Sequence, residues 1–120
     1  MPTAEKSNKV LIRLIAELKK KAHDNKAPIW KDIANRLSKP NKSWAEVNIR
    51  NLAQNTKKND VIVVPGKLLG VGNLDFPVTV AALSFSGSAK DKIKRAGGKS
   101  LSINELVDKH PSGKGVRIIC

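Results

Sequence analysis

The stretch from Val61 to Gly98 constrains the fold of this chain more than any other part of the sequence. It begins with the apolar run VIVV, which is typical of a strand buried on both faces. Pro65–Gly66 predicts the end of that strand, and further glycines predict a loop. A second β-rich run, Val78–Phe85, follows, and then a short basic segment ends in two glycines. The order of strand, glycine-rich loop, strand and helix predicts an α/β unit.

The basic helix of this unit carries signals at both ends. Ser88 is the predicted N-cap, because Asp91 three residues later completes a capping-box pattern. Gly97 or Gly98 is expected to supply the left-handed residue that ends the helix. Helical spacing turns the apolar positions inward and directs three cations outward, namely Lys90, Lys94 and Arg95.

Two amphipathic helices precede the unit. The first is predicted to begin near Lys9, after an N-cap at Ser7, because its apolar residues recur every three or four positions. The second begins at Pro28, which a helix tolerates in its first turn, and runs to about Ser38. Its phase favours a core position for Trp30 over a role in stacking on a nucleic-acid base.

The segment 39–60 is polar and basic and has no clear period, so we expect an extended arm followed by a turn. A short strand at Val47–Ile49 and a helical turn at Arg50–Asn55 are expected within it. Trp44 lies in this arm without an apolar neighbour on its N-terminal side. Its indole either stacks on a base or plugs the edge of the domain, and the sequence leaves both readings open.

The C-terminal part predicts a shorter repeat of strand and helix. A brief strand at Leu101 is followed by a second capping box, Ser102 to Glu105, that starts a short helix. Residues 111–115 read as a flexible basic loop. The final run, Val116–Ile119, is expected to pair with the central sheet, because an unpaired apolar edge would favour aggregation.

Length and composition bound the class of protein. The 120 residues suit a single domain: flexible at 1–8, helical at 9–38, an arm and turn at 39–60, and an α/β core at 61–120. The formal net charge of +13 favours a polyanionic partner, above all nucleic acid, over a protein whose surface is merely basic.

Cofactor, metal and catalytic sites are not expected. The glycines at 70 and 72 lack the third glycine of a dinucleotide fingerprint, and Gly98-Lys99-Ser100 lacks the first glycine of a phosphate loop. A single cysteine and two scattered histidines do not make a zinc site or a nucleophile with its base. No run approaches the roughly 20 apolar residues of a membrane span, and no signal segment is recognised, so we expect a cytoplasmic protein without a small-molecule substrate.

The predicted loop around Lys67 is the strongest candidate for binding. Its glycines lack side chains, so an RNA backbone could approach the main chain closely while Lys67 supplies charge. Gly70 is expected to need a positive φ. The alternative is that the glycines only shape a turn between two strands.

The spacing of this region resembles the family of archaeal and eukaryotic large-subunit ribosomal protein eighteen (the e-type), which shares its core with bacterial large-subunit ribosomal protein fifteen. IWKDIANRL near the start and PSGKGVRII at the end also resemble segments of that family. Within the central stretch the resemblance lies in K-L-L-G-x-G-x-L, a V-T-V strand and a serine–alanine–isoleucine helix before the glycine pair: Lys67, Leu68, Leu69, Gly70, Gly72, Leu74, Val78, Val80, Phe85, Ser86, Ala89, Ile93, Gly97 and Gly98.

The resemblance implies an α/β fold with a three-layered core of irregular ββα superhelical turns, preceded by the two helices. It implies a structural constituent of the large ribosomal subunit, archaeal rather than eukaryotic in length, that contacts ribosomal RNA and neighbouring ribosomal proteins. The alternative from charge alone is a stand-alone nucleic-acid binder associated with chromatin or tRNA, but neither long helix has the face of a groove-reading helix. An RNA-modifying enzyme would need the catalytic site that the sequence lacks.

The residues expected to contact RNA are mainly cations that would neutralise phosphates and read few bases. They are Lys20, Lys21, Lys31, Arg36, Lys39, Lys42, Trp44, Arg50, Lys67, Gly70, Gly72, Lys90, Lys94, Arg95, Lys114 and Arg117.

Overall fold

The structure is a computed structural model that describes residues 2–40 and 44–120, with side chains described from Lys9 onward. Five helices and five strands follow one another along the described chain. In order they are α1 (Pro2–Asp24), α2 (Pro28–Leu37), β1 (Ala45–Asn48), α3 (Ile49–Asn55), β2 (Val61–Leu69), β3 (Thr79–Phe85), α4 (Gly87–Arg95), β4 (Lys99–Leu101), α5 (Ile103–Lys109) and β5 (Val116–Ile118).

The five strands form one sheet in which every pairing is parallel. The order is β1-β2-β3-β4, and β5 also pairs with β2. β1 lies beside Gly66–Leu69 at the end of β2, whereas β5 lies beside Val61–Val63 at its beginning. The two short strands therefore share one edge of β2, and the predicted pairing of the last strand with the central sheet is confirmed.

Helices cover both faces of the sheet, because neighbouring residues of a strand point to opposite sides. Val63 packs with α1, α2 and α5, whereas Ile62 and Val64 pack with α3 and α4. Two apolar cores, one on each side of the sheet, make three layers. The predicted α/β class with a three-layered core and two N-terminal helices is confirmed.

The first two helices pack against each other on one face of the sheet. α2 has the predicted bounds and buries Trp30, whose Nε1 donates a hydrogen bond to the Pro111 carbonyl at 2.8 Å. The core position predicted for this indole is thus confirmed. α1 instead begins at Pro2, so the prediction of a start near Lys9 with Ser7 as N-cap is wrong. We also expected residues 1–8 to be flexible. The side chains of these residues lie outside the described ones, so this stays a prediction.

The second half of the predicted arm packs into the apolar core on the side of the sheet that α3 and α4 cover. Val47 of β1 is buried, and Ile49 begins α3 instead of continuing the strand. Leu52 is buried on the same helix, which confirms the helical segment expected after Arg50. The amide of Arg50 donates to the carbonyl of Val71 at 2.9 Å and so ties α3 to the connection after β2.

The prediction that Pro65–Gly66 ends the strand that begins at Val61 is wrong. β2 continues to Leu69, and its register with β3 shifts between Val64 and Lys67. A proline has no amide to donate, and the shift lets the chain pass it without leaving an orphaned acceptor in the ladder. Gly66 is needed there because a Cβ would lie 2.1 Å from the carbonyl oxygen of Ala45 on β1.

Of the three end signals predicted for the later helices, the N-cap of α4 is wrong, and the glycine after α4 and the capping box of α5 are confirmed. Ser86, not Ser88, caps α4, and its hydroxyl accepts a hydrogen bond from the Ala89 amide at 3.1 Å. Gly97, at a φ of 85°, follows this helix as predicted. The capping box of Ser102 and Glu105 at the start of α5 is present in full.

The described residues contain no helix long and apolar enough to cross a membrane. Within those same ranges, no group of three or more His, Cys, Asp or Glu side chains could hold a metal ion.

Gly70, where β2 ends, is required by a close contact and not by its backbone angle. Its φ is not positive, so the predicted reason for a glycine is wrong, whereas Gly72 does have a φ of 113°. A Cβ on Gly70 would lie 1.8 Å from the Ser88 hydroxyl and 2.8 Å from the Ser88 Cβ. The first turn of α4 therefore occupies the space of the missing side chain.

This contact predicts that Gly70→Ala destabilises the fold by about 1–3 kcal/mol, as overpacking does. Adding Ser88→Gly removes the nearest clashing atoms, so the double mutant should recover part of that loss, with a coupling of at least about 0.5 kcal/mol. Urea unfolding of the two single mutants and the double mutant measures the cycle.

Gly87→Ala is the matched control, because no atom lies within 4 Å of the Cβ it would add. We expect it to change the free energy of unfolding by less than about 1 kcal/mol or to stabilise the helix. Equal effects of Gly70→Ala and Gly87→Ala, with no coupling to Ser88, would contradict the packing explanation.

Candidate nucleic-acid interface

Three arginines among the predicted RNA-binding residues are paired with carboxylates. Arg36 Nε lies 3.2 Å from Asp32, Arg95 Nε lies 3.0 Å from Asp91, and Arg117 Nη1 lies 3.2 Å from Asp60. These guanidinium groups are at least two-fifths exposed, so each pair contributes little to stability. A phosphate could replace the carboxylate in each pair, but the free protein presents these arginines partly neutralised.

Arg36 has a second partner in the last residue of the chain. Its Nη1 lies 3.3 Å from the Cys120 sulfur. Partial burial alone would lower the pKa of the guanidinium, but Asp32 and Cys120 together raise it above its usual value. This contact ties the C-terminus to α2, so Arg36 has a structural role beside any role in binding.

The described lysines on the predicted list are exposed, and none of them forms an ion pair among the described side chains. They do not form one patch, because α1 and α2 cover one face of the sheet and α4 covers the other. Lys42 lies outside the described residues. The exposed and described ones are Lys20, Lys21, Lys31, Lys39, Lys67, Lys90, Lys94 and Lys114.

Lys67 lies in a strand, not in the predicted loop. It is the exposed residue between buried Gly66 and Leu68 in β2, and its register partners are Glu46 on β1 and Ser84 on β3. The opposite charge of Glu46 beside it is a cross-strand neighbour that a phosphate would have to compete with. Contact of Lys67 with RNA stays a prediction.

The actual loop after β2 is held by a lysine that the sequence reasoning missed. Lys92 on α4 is half-buried, and its Nζ donates to the carbonyls of Gly70 and Gly72, each at 2.6 Å. A Cβ on Gly72 would lie 2.5 Å from the Arg50 amide nitrogen, so the protein itself fills the space beside this glycine. These observations show that the glycines shape and pack the loop, and their contact with RNA stays a prediction.

The indole of Trp44 lies at the edge of the apolar core that α1, α2 and α5 cover. It is half-buried, packs against that core, and donates from Nε1 to the Lys39 carbonyl at 3.0 Å. Of the two readings left open by the sequence, the structure favours the plug at the domain's edge. Its side-chain donor already has a partner, and stacking on RNA stays a prediction.

An open groove runs between α4 and β4, with a volume of about 610 Å³. Lys90, Lys94 and Lys99 line it together with the start of β4. Lys99 was not on the predicted list, although its place directly after the glycine pair is visible in the sequence. The groove brings three lysines together on adjacent elements.

Lys92→Met tests the role of the half-buried ammonium group of Lys92. The variant keeps most of the aliphatic stem but leaves two carbonyls without their charged donor, so we expect a loss of about 1.5–3 kcal/mol in the free energy of unfolding. Lys90→Met, on the same helix but exposed, should change it by less than about 0.5 kcal/mol. Thermal or urea unfolding gives both values. A Lys92→Met variant as stable as Lys90→Met would show that the hydrogen bonds from Lys92 to the loop do not stabilise the fold.

The chain matches a protein-family model described as "Ribosomal protein 60S L18 and 50S L18e" over residues 2–120. It is 46% identical over 114 residues to large ribosomal subunit protein eL18 of Methanothermobacter thermautotrophicus, covering 95% of this chain and 94% of the relative. The protein of the same name from Archaeoglobus fulgidus is 47% identical over 114 residues, 95% of this chain and 97% of that relative.

The protein of that name from Methanoregula boonei is 46% identical over 117 residues and covers 98% of this chain and 97% of its own length. The predicted relation to bacterial large-subunit ribosomal protein fifteen stays a prediction. A match that runs through both cores and all five strands, at this identity, leaves one assignment: the chain belongs to the family of ribosomal protein 60S L18 and 50S L18e.

Proposed function

We propose that this chain is a structural constituent of the large ribosomal subunit and binds ribosomal RNA through surface lysines and arginines. The observation that carries the proposal is the family match over residues 2–120, joined to a formal net charge of +13. A folded body with this charge repels itself unless a polyanion lies beside it. Ribosomal RNA would supply that polyanion.

In this mechanism, exposed lysines neutralise phosphates and release counterions, which supplies affinity without reading base sequence. The exposed lysines that form no ion pair among the described side chains lie on helices at both faces of the sheet, which supports contacts with RNA segments on more than one side. The paired arginines would join only where a phosphate displaces Asp32, Asp91 or Asp60. The fold acts as a rigid spacer whose charge is carried at its surface.

Neighbouring ribosomal proteins are the second class of partner. Val10 and Ile12 on α1 are large apolar side chains that are 71% and 64% exposed, and they lie on different sides of the helix because they are two residues apart. Both precede Leu14, the first buried residue among the described side chains of α1. A neighbouring protein could cover them there. As part of the ribosome, the chain would work in the cytoplasm, and family membership favours this structural role over an enzymatic one.

The salt dependence of RNA binding tests the proposal. If about six phosphates are neutralised, the plot of log K against log salt should have a slope of about −4 to −5 for a transcript of large-subunit ribosomal RNA. Fluorescence anisotropy of the full chain at several potassium concentrations gives this slope. A slope shallower than about −2 would contradict binding through phosphates.

Lys67→Ala resolves one contact within the same measurement. If Lys67 meets a phosphate, the slope should flatten by about one unit while the free energy of unfolding changes by less than about 0.5 kcal/mol. Lys67→Arg keeps the charge and serves as the control. An unchanged slope for Lys67→Ala would remove this residue from the interface.

A further inference from the structure

We propose that the groove between α4 and β4 is a built subsite for the sugar-phosphate backbone of RNA, with Lys90, Lys94 and Lys99 as its phosphate-binding cations. This inference rests on the proposed function and names one surface for it. The sequence analysis named Lys90 and Lys94 among the expected RNA contacts but not Lys99, and it placed the strongest candidate around Lys67.

Three cations line the groove from two elements. Lys90 and Lys94 are one helical turn apart on α4, so their stems lie side by side. Lys99 begins β4 on the other side of the groove. Asp91 is the one carboxylate among the described residues that line the groove, and it is already engaged by Arg95 at 3.0 Å. The groove therefore presents three ammonium groups and one acidic group that has its own partner.

The main chain below these cations is fixed. The Gly98 amide donates to the Ile93 carbonyl at 2.9 Å, and the Lys99 amide donates to the Val78 carbonyl at 3.0 Å. A Cβ on Gly98 would lie 2.3 Å from that same Val78 oxygen, so only glycine lets the chain approach β3 this closely. The backbone of Lys99 is thus held at a defined place, so no backbone ordering is needed there when a phosphate binds.

The edge of the sheet adds neutral donors to the groove. β4 is the last strand in the sheet order, with β3 as its neighbour. Because the Lys99 amide points to β3 and successive amides alternate in direction, the Ser100 amide points to the open edge. Ser100 lines the groove, and its amide and hydroxyl groups are both hydrogen-bond donors that suit phosphate or ribose oxygens.

The lining favours a nucleic-acid backbone over its bases. Of the described residues that line the groove, none is aromatic, so a stacking platform for bases is missing there. Leu101 and the lysine stems offer an apolar floor that suits a ribose. An open groove with three cations spread along it fits successive phosphates of one strand better than a single small anion.

The test compares two triple variants of the full chain that remove the same charge. The groove variant removes the three positive charges of the groove by Lys90→Gln, Lys94→Gln and Lys99→Gln. The control variant removes three exposed lysines elsewhere by Lys19→Gln, Lys58→Gln and Lys109→Gln. For three contacts to a single strand, the groove variant should lose about 100-fold in affinity for a large-subunit ribosomal RNA transcript at about 0.1 M salt. Its salt slope should flatten by about 2 units, and the control should change far less.

A second measurement needs no variants. The wild-type chain, free and bound to the same transcript, is treated with an acetylating reagent, and mass spectrometry gives the reactivity of each lysine. Protection of Lys90, Lys94 and Lys99 above that of Lys19, Lys58 and Lys109 supports the groove.

The outcomes separate the inference from the proposed function. If the wild type binds with a steep salt slope but both triple variants weaken equally, or the groove lysines stay reactive in the complex, the groove is overturned and the proposed function stands. If the wild type binds RNA with a slope shallower than about −2, the proposed function fails first and the groove with it.

Discussion

Burial of β2 on both faces is the constraint on which the rest of the structure depends. Ile62, Val63 and Val64 are fully buried, and the strand has partners along both edges. Such a strand needs helices above and below it, which α1, α2 and α5 supply on one side and α3 and α4 on the other. Most of the charge must then lie at the outer surfaces of these helices, so a two-sided core and a two-sided cationic surface have the same cause.

The elements that depend on local pattern were predictable from the sequence. The phase of α2, the capping box of α5 and the glycine after α4 each follow from a few adjacent residues. The errors occur where a distant contact decides. Proline and glycine end a strand in isolation, but Pro65 and Gly66 lie inside β2, because the register shift and the close approach of β1 accommodate them.

The candidate site was predictable as composition but not as geometry. The sequence indicated many cations, yet it could not show that Arg36, Arg95 and Arg117 have carboxylate partners. It also could not show that Lys92 turns inward to the carbonyls of the loop. In the free protein three arginines are partly neutralised by carboxylates and Lys92 is engaged by the loop, so the exposed lysines are the charges left for a polyanion. That division depends on tertiary placement, which charge counts and helical periodicity do not contain.

The central claim, that this chain is a component of the large ribosomal subunit held there by RNA, is tested most directly by its sedimentation in an extract of its own cells. A sucrose gradient with dissociated subunits, probed for the chain by mass spectrometry, gives its distribution. The account predicts that the chain co-sediments with the large subunit at physiological salt, is lost progressively as the salt concentration rises, and is released when ribonuclease degrades the RNA. A chain that stays at the top of the gradient, or sediments with the small subunit, would contradict the account.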